Sequence, residues 1–318
     1  MQKILVGILR SAERECAREQ SVNAASDADA RMKIEARIAG LNDPLGRAFL
    51  VAPAFSRGGG LLMSSEVFCA AVLARFGMLQ FHAAHVLSPS GVAYIKGPAT
   101  VNSTGTCNRC GRVDCTPDHF LVCKKLAGLV TNRHNNVVHA LATMVRNHTH
   151  YPVGTEMSLE HIDSDRRANS SKKRLDLVVI RGEGAQAKPQ AYDVTIVTNG
   201  RASFADCAAA KAASKRKKYD RHMAAMQYPP VEALVFNPFG QAAEPVYDLL
   251  NDVFGAADTL HDSSTYDHMV SQRLAKQRAI WQISMLLARW CGIMALAVID
   301  SGHSRSARFS LSRVIPSV

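Results

Sequence analysis

Apolar positions along the chain change their period at about residue 150, and that change predicts the order of elements. Residues 1 to about 40 are rich in Ala, Arg and Glu at helical spacing, with no breaker before Gly40. Asn42, Asp43 and Pro44 then mark a turn. A flexible break, SRGGG at 56–60, leads into MSSEVFCAAVLARFGM, where Ser64 or Ser65 can cap a helix and Gly77 can end it. A long helix is expected from Val130 to His150, with Val137, Val138, Leu141, Met144 and Val145 on one apolar face. Beyond it, MSLEHI, LDLVVI, AYDVTIVT and VEALVF are short β-branched or alternating runs separated by Gly, Ser, Asn and Pro. Between the third and fourth, Phe204 to Met226 reads as one helix rich in Ala and Lys, and from Glu244 onward the pattern is mostly helical with a basic, Ser-rich tail.

Helix, three strands, helix, strand predicts an α+β or α/β fold: a mixed, partly antiparallel sheet with helices packed on its faces. The organisation expected is a helical lead-in or linker over 1–100, a cysteine-rich knot over 101–127, a sheet domain over 128–260 and a helical C-terminal extension over 261–318. Nothing in the first hundred residues offers catalytic chemistry. Trp290 to Ile299 is apolar over ten residues, with Arg289 interrupting its extension. That is short of the roughly 18 a bilayer needs, so a buried helix and no membrane partner are expected.

Charge adds a partner class. Thirty-eight Lys and Arg against 27 Asp and Glu leave a formal charge of +11 and a pI near 9.4, which suits a polyanion. The excess is local: 14 basic and five acidic residues lie between Arg166 and His222, a concentration that favours phosphate contacts. Eight cysteines, irregularly spaced, do not make a secreted disulfide scaffold, and MQKILVGILRSAERECAREQ turns charged too soon for a secretory signal.

Four of the cysteines crowd between residues 107 and 123. Cys107 and Cys110, two residues apart with Gly111 easing the turn, can point both sulfurs at one ion, and His119 and Cys123 can add a nitrogen and a sulfur from one helical turn. This Cys-x2-Cys-x8-His-x3-Cys set is a closed tetrahedron suited to structural Zn²⁺, with Cys115 as the alternative to His119. So short a segment has almost no core, and zinc would supply its folding energy, on the order of 10 kcal/mol.

Chemistry is expected from the strands. Asp176 and Asp193 each interrupt an apolar run, and an ionised side chain there is costly to bury without a partner or a metal. At similar heights on neighbouring strands they could hold Mg²⁺ through oxygen ligands, with Glu156 as a third carboxylate and Glu160 as its rival. On the following helix Lys215 and Tyr219 share a face at i, i+4. Two acids, a cation and a lysine over a sheet are what phosphodiester hydrolysis needs: water activated, and charge on phosphorus offset by an ammonium. The alternative reading is two aspartates held in salt bridges and a solvated lysine face.

The order of these parts resembles the C-terminal region of site-specific non-LTR retrotransposon proteins, in which a Cys-Cys-His-Cys zinc motif precedes a restriction-like endonuclease of the PD-(D/E)xK superfamily. The residues that carry the resemblance are Cys107, Cys110, His119 and Cys123, then Arg133-His134-Asn135, Leu175-Asp176, Asp193-Val194-Thr195, and Lys215 with Tyr219, over roughly 107 to 236. Leu175 stands where the superfamily has Pro, and Thr195 where it has Lys. The retroelement nucleases take that lysine from the next helix, which implies Lys215, with Lys211 in reserve.

What the resemblance implies is a restriction-endonuclease-like mixed sheet behind a zinc knuckle, and a nucleus-located enzyme that nicks duplex target DNA so that reverse transcription can be primed. The element's RNA would be a second partner, and no aromatic-x-Asp-Asp turn of a polymerase occurs in this chain. Expected catalytic residues are Asp176, Asp193, Lys215, Glu156 and Tyr219. Expected nucleic-acid contacts are Arg109, Arg112, Lys124, Lys125 and Arg133 near the knuckle, and Lys172, Lys173, Arg174, Lys211, Lys217 and Lys218 near the acids. The alternatives are a nucleic-acid-binding module without activity and a host resolvase-type nuclease.

Overall fold

The computed structural model describes residues 43–51, 63–75, 84–88, 91–95, 106–107, 109–113, 117–159, 173–182, 187–198, 203–255 and 266–299. The expected helix over 1–40, the SRGGG break, Gly77, Cys115, Glu160, Lys172 and the basic tail lie outside the described residues.

Helices α1 (Pro44–Val51) and α2 (Ser65–Arg75) come first. Ser64 caps α2, its Oγ accepting from Val67 N at 3.3 Å. A hairpin follows, β1 (Ala84–Ser88) antiparallel to β2 (Gly91–Ile95), in a region where only helix or linker was expected. The long helix α3 (Ala127–His148) buries the predicted Val137, Val138, Leu141, Met144 and Val145. Strands β3 (Val153–Ser158), β4 (Arg174–Arg181), β5 (Lys188–Ile196) and β6 (Glu232–Phe236) form one mixed sheet in the order β3-β4-β5-β6. The first three are antiparallel neighbours, and β6 joins β5 in parallel after the crossover helix α4 (Phe204–Ala225). A parallel pair needs such a crossover, and the sequence supplies it as a Ser203-capped run of Ala and Lys: Ser203 Oγ accepts from Asp206 N at 3.1 Å. The chain then adds α5 (Glu244–Phe254) and α6 (Tyr266–Ile299), 34 residues long.

Period-2 alternation on the strands sends side chains into two cores. Leu177, Val179, Tyr192, Val194, Leu234 and Phe236 meet α1, α3, α5 and the first half of α6. Leu175, Val178 and Ala191 meet Tyr219 and Met223 of α4 on the other face. Leu175 and Leu177 thus enter opposite cores, so the alternation breaks at Asp176, the residue between them. Such irregularities re-aim a side chain. Level with it on the neighbouring strand, Glu156 holds φ +54°, rare for a residue with a Cβ.

The expected strand over 157–162 starts earlier than its apolar residues suggested, at Val153, because it pairs with β4 from Val153 opposite Val179. Residues 266–299 are more than an extension. Ala279, Ile280, Ile283 and Leu287 fill the sheet core on the α3 face, while Cys291, Met294, Ala295 and Val298 fill a third core with Cys107, Phe120, Leu121 and Cys123. By length and composition α6 could cross a membrane over Val270–Val298, but 67% of an 18-residue apolar stretch within it is buried inside this chain's own fold.

Candidate functional site

Two clusters of ligand-bearing side chains stand in the described residues, one sulfur-rich and one built on the irregular strands. In the first, one ligand atom each of Cys107, Cys110, His119 and Cys123 lies within 4.8 Å of the others. The hook forms as its spacing predicts. Gly111, at φ +71°, donates its N–H to Cys107 O at 2.9 Å, and Cys107 N–H donates to Arg112 O at 2.8 Å. Cys110 Sγ and His119 Nε2 are 3.2 Å apart. Burial, with Arg112 nearby, holds the His119 imidazole below its ordinary value, which favours the neutral ring that binds metal. Burial also pushes the Cys123 thiol up to about 11, a cost that an ion would reverse by binding the thiolate. Three thiols and an imidazole at these separations fit a structural metal such as zinc.

The second cluster is His134, Glu156 and Asp176, again with ligand atoms within 4.8 Å of one another. His134 reaches it because the apolar face of α3 runs on through positions 138 and 137 to 134, so its ring lies over the sheet. Its Nε2 is 3.1 Å from Asp176 Oδ2 and 3.1 Å from Val194 O, and Asn135 Oδ1 is 3.2 Å from its Nδ1. Hydrogen bonding to Asp176, against the opposing burial, raises His134 to about 9, so without a metal the ring carries a proton at neutral pH. Asp176 Oδ2 also accepts from Val194 N at 2.7 Å. Glu156 is more exposed, with Arg174 Nη1 3.9 Å from its Oε2.

Asp193 turns the other way. The β4–β5 ladder ends at Leu177 opposite Tyr192, one step short of the two aspartates. Past that step Asp176 faces α3, and Asp193, only 2% exposed, faces α4. There Lys215 Nζ lies 2.5 Å from Asp193 Oδ2, and Thr195 Oγ1 donates to the same oxygen at 3.4 Å. Tyr219 OH is 3.1 Å from Asp193 Oδ1 and 2.7 Å from Arg174 O, its single proton serving both, and it accepts from Lys218 Nζ at 2.5 Å. Burial, then the Asp193 charge, raise the Tyr219 phenol far above its usual range, so it stays protonated. Lys215 was expected to face a phosphate and Asp193 to hold a cation beside Asp176; the structure instead pairs the two with each other. Asp193 thus joins Lys215 rather than the ligand group that holds Asp176.

No family model matches this chain, and none of the curated proteins is similar to it. Its chemistry rests on its own geometry.

Around these groups the expected nucleic-acid contacts divide. Arg109, Arg112, Lys124 and Lys125 are exposed on the sulfur cluster, beside Val113 and Val122 at 61% and 54% exposure. Arg174, Lys211, Lys217 and Lys218 are exposed around Lys215. Lys173 is tied back, its Nζ 3.0 Å from His222 Nε2 and 3.3 Å from Lys218 O. Arg133 is buried at 3% exposure, with Nε and Nη1 enclosed and unpartnered, so it does not face a ligand in solvent. One position before His134 and about 100° round the helix, it lies near Cys291 of α6.

Sequence reasoning had named His134 without giving it a role. The signal was present: extending the Val137, Val138, Leu141 stripe by one turn toward the N-terminus ends on a histidine, where an apolar residue would continue the core. Val194 O could not have been found, since a backbone carbonyl leaves no mark in composition.

Proposed function

We propose that this chain is a divalent-cation-dependent phosphodiesterase that nicks duplex DNA, built as a restriction-like endonuclease behind a zinc knuckle and serving a retroelement. The observation that carries this reading is the placement of a nitrogen-and-carboxylate ligand group, His134, Glu156 and Asp176, beside a lysine paired to a buried aspartate.

A cation bound at Asp176 would activate water and offset charge on the phosphorus. The rest falls to this chain's own groups. Lys215, with its side chain 25% exposed, can offer N–H donors to a phosphate oxygen while Asp193 fixes its position. Tyr219 and Thr195 hold Asp193 from two further directions, which keeps the ammonium from drifting. The exposed Arg174, Lys211, Lys217 and Lys218 would hold the strand by its phosphates.

Nicking of supercoiled plasmid by zinc-loaded protein, in Mg²⁺ or Mn²⁺, tests the reading. Cleavage is expected with wild type and a loss of at least 100-fold with Asp193→Ala, while DNA binding and zinc content persist. Equal nicking by that variant, or none by wild type with either ion, overturns it. A binding module without activity is the second reading, favoured by the close Lys215–Asp193 pair, which ties up both groups. It predicts salt-sensitive binding and no cleavage.

A further inference from the structure

We propose that the cation seat of this protein is a mixed nitrogen–oxygen site, with His134 Nε2, Asp176 Oδ2, the Val194 carbonyl and Glu156 as ligands, and that it selects Mn²⁺ over Mg²⁺. The four groups differ from the carboxylate pair that Asp176 and Asp193 suggested. Three of them are already spaced as ligands. His134 Nε2 lies 3.1 Å from Asp176 Oδ2 and 3.1 Å from Val194 O. Two ligand atoms about 2.1 Å from one ion and at right angles are about 3 Å apart, so these atoms stand as neighbouring corners of a coordination shell.

The same contacts explain what holds the site together without an ion. One proton on Nε2 then serves both oxygens, and a dication would take its place. The far ring nitrogen meets Asn135 Oδ1 at 3.2 Å, the kind of partner that fixes ring orientation in metal-bound histidines. Glu156 supplies the fourth ligand. One of its carboxylate oxygens lies within 4.8 Å of a ligand atom of His134 and of Asp176, and its restraint is a 3.9 Å contact with an exposed arginine, Arg174. Of the nearby ammonium groups, Lys215 is held by Asp193.

Ion choice follows from the donor types. Carboxylates and a carbonyl suit Mg²⁺, Ca²⁺ and Mn²⁺, whereas imidazole suits the transition metals. Mn²⁺ satisfies both, and Mg²⁺ must give up a water for a nitrogen it binds poorly. Zinc finds its own donors in the three thiols and His119.

The ligand set deepens the nuclease reading and rests on it for its catalytic meaning, but ion binding is measured without cleavage. Full chain, loaded with one zinc, is titrated with Mn²⁺ and followed by electron paramagnetic resonance, with pulsed detection of ligand nitrogen. One tight Mn²⁺ with imidazole coupling is expected, displaced by Mg²⁺ only at about 100-fold excess. His134→Ala should abolish the nitrogen coupling and weaken Mn²⁺ at least tenfold, with Mg²⁺ binding nearly unchanged. Glu156→Gln, at an exposed position, should weaken Mn²⁺ several-fold and keep the nitrogen signal. Unchanged coupling in His134→Ala, or displacement by Mg²⁺ at equal concentration, overturns the assignment. The same samples keep the two readings apart. Nitrogen-coupled Mn²⁺ without nicking supports the ligand set and sinks the nuclease. Mg²⁺-driven nicking indifferent to His134→Ala does the reverse.

Discussion

The two ligand clusters of this protein are built on opposite principles. The sulfur cluster takes its four ligands from 17 consecutive residues, and its neighbours Phe120, Leu121 and Leu126 are buried against α6. The His134 cluster draws on α3, β3, β4 and a carbonyl of β5, elements that a whole domain must fold to bring together. The first could be assembled around an ion by a short segment, whereas the second requires the folded domain to bring its groups together. Closure fits a structural role and partial exposure a chemical one.

The sharpest way to break the contrast is to remove metal from each side. Cys123→Ser, or a strong chelator, should cost the knuckle on the order of 10 kcal/mol of metal-linked folding energy. The expected result is loss of the bound zinc and exposure of Trp290 by fluorescence, because α6 packs on the same core. His134→Ala should leave zinc and fold in place. If both changes unfold the protein equally, the distinction fails.

A smaller effect tests the link between knuckle and helices. A Cβ at Gly292 of α6 would stand 2.2 Å from Val67 O of α2, a backbone atom that cannot swing aside. Gly292→Ala should lower the melting temperature by several degrees, about 1–3 kcal/mol as overpacking usually costs. An unchanged melting curve would mean that α2 and α6 are not closely docked.

Proton linkage separates the clusters further. His134 rises from 6.5 to about 9 through its bond to Asp176, so its contribution to stability is full below pH 6.5 and is lost as pH climbs through about 9. Zinc-loaded protein without added metal should therefore lose stability between pH 6.5 and 9, and His134→Gln should flatten that slope. A wild-type stability that rises across this window contradicts the contact.

The smallest effect is expected at the surface. Lys217→Ala should weaken DNA binding uniformly across sequences and lower the salt slope by about one, as for a single phosphate contact. A change that depends on the DNA sequence would mean that the side chain reads bases.

How much of this was legible depended on the range of the contacts. The sulfur cluster could be read because its ligands are local and their spacing is the geometry. The sheet strands and α4 could be read from alternation and from the Ala-Lys run that Ser203 caps. Less could be read where two elements meet. Asp176 and Asp193 look equivalent in sequence, each an acid inside an apolar strand, and only the break in alternation between Leu175 and Leu177 sends them to opposite faces. The hairpin at 84–95 carried too weak an alternation to stand out from a linker. Arg133 looked like a surface cation because the sequence does not show that it is buried near Cys291 of α6, more than 130 residues away in the chain.

That last helix has a consequence for synthesis. α6 lies after every element it braces, and its contacts with α1 and α2 close loops of some two hundred residues, as between Ser284 and Leu45. A chain leaving the ribosome can pair β3 to β6 and pack α4 on one face of the sheet, but the core shared with α1 and α3 and the knuckle core do not close until residues 280–298 emerge. Those two cores should thus close late, and until α6 has emerged the apolar faces of α2 and α3 are surfaces a chaperone would hold.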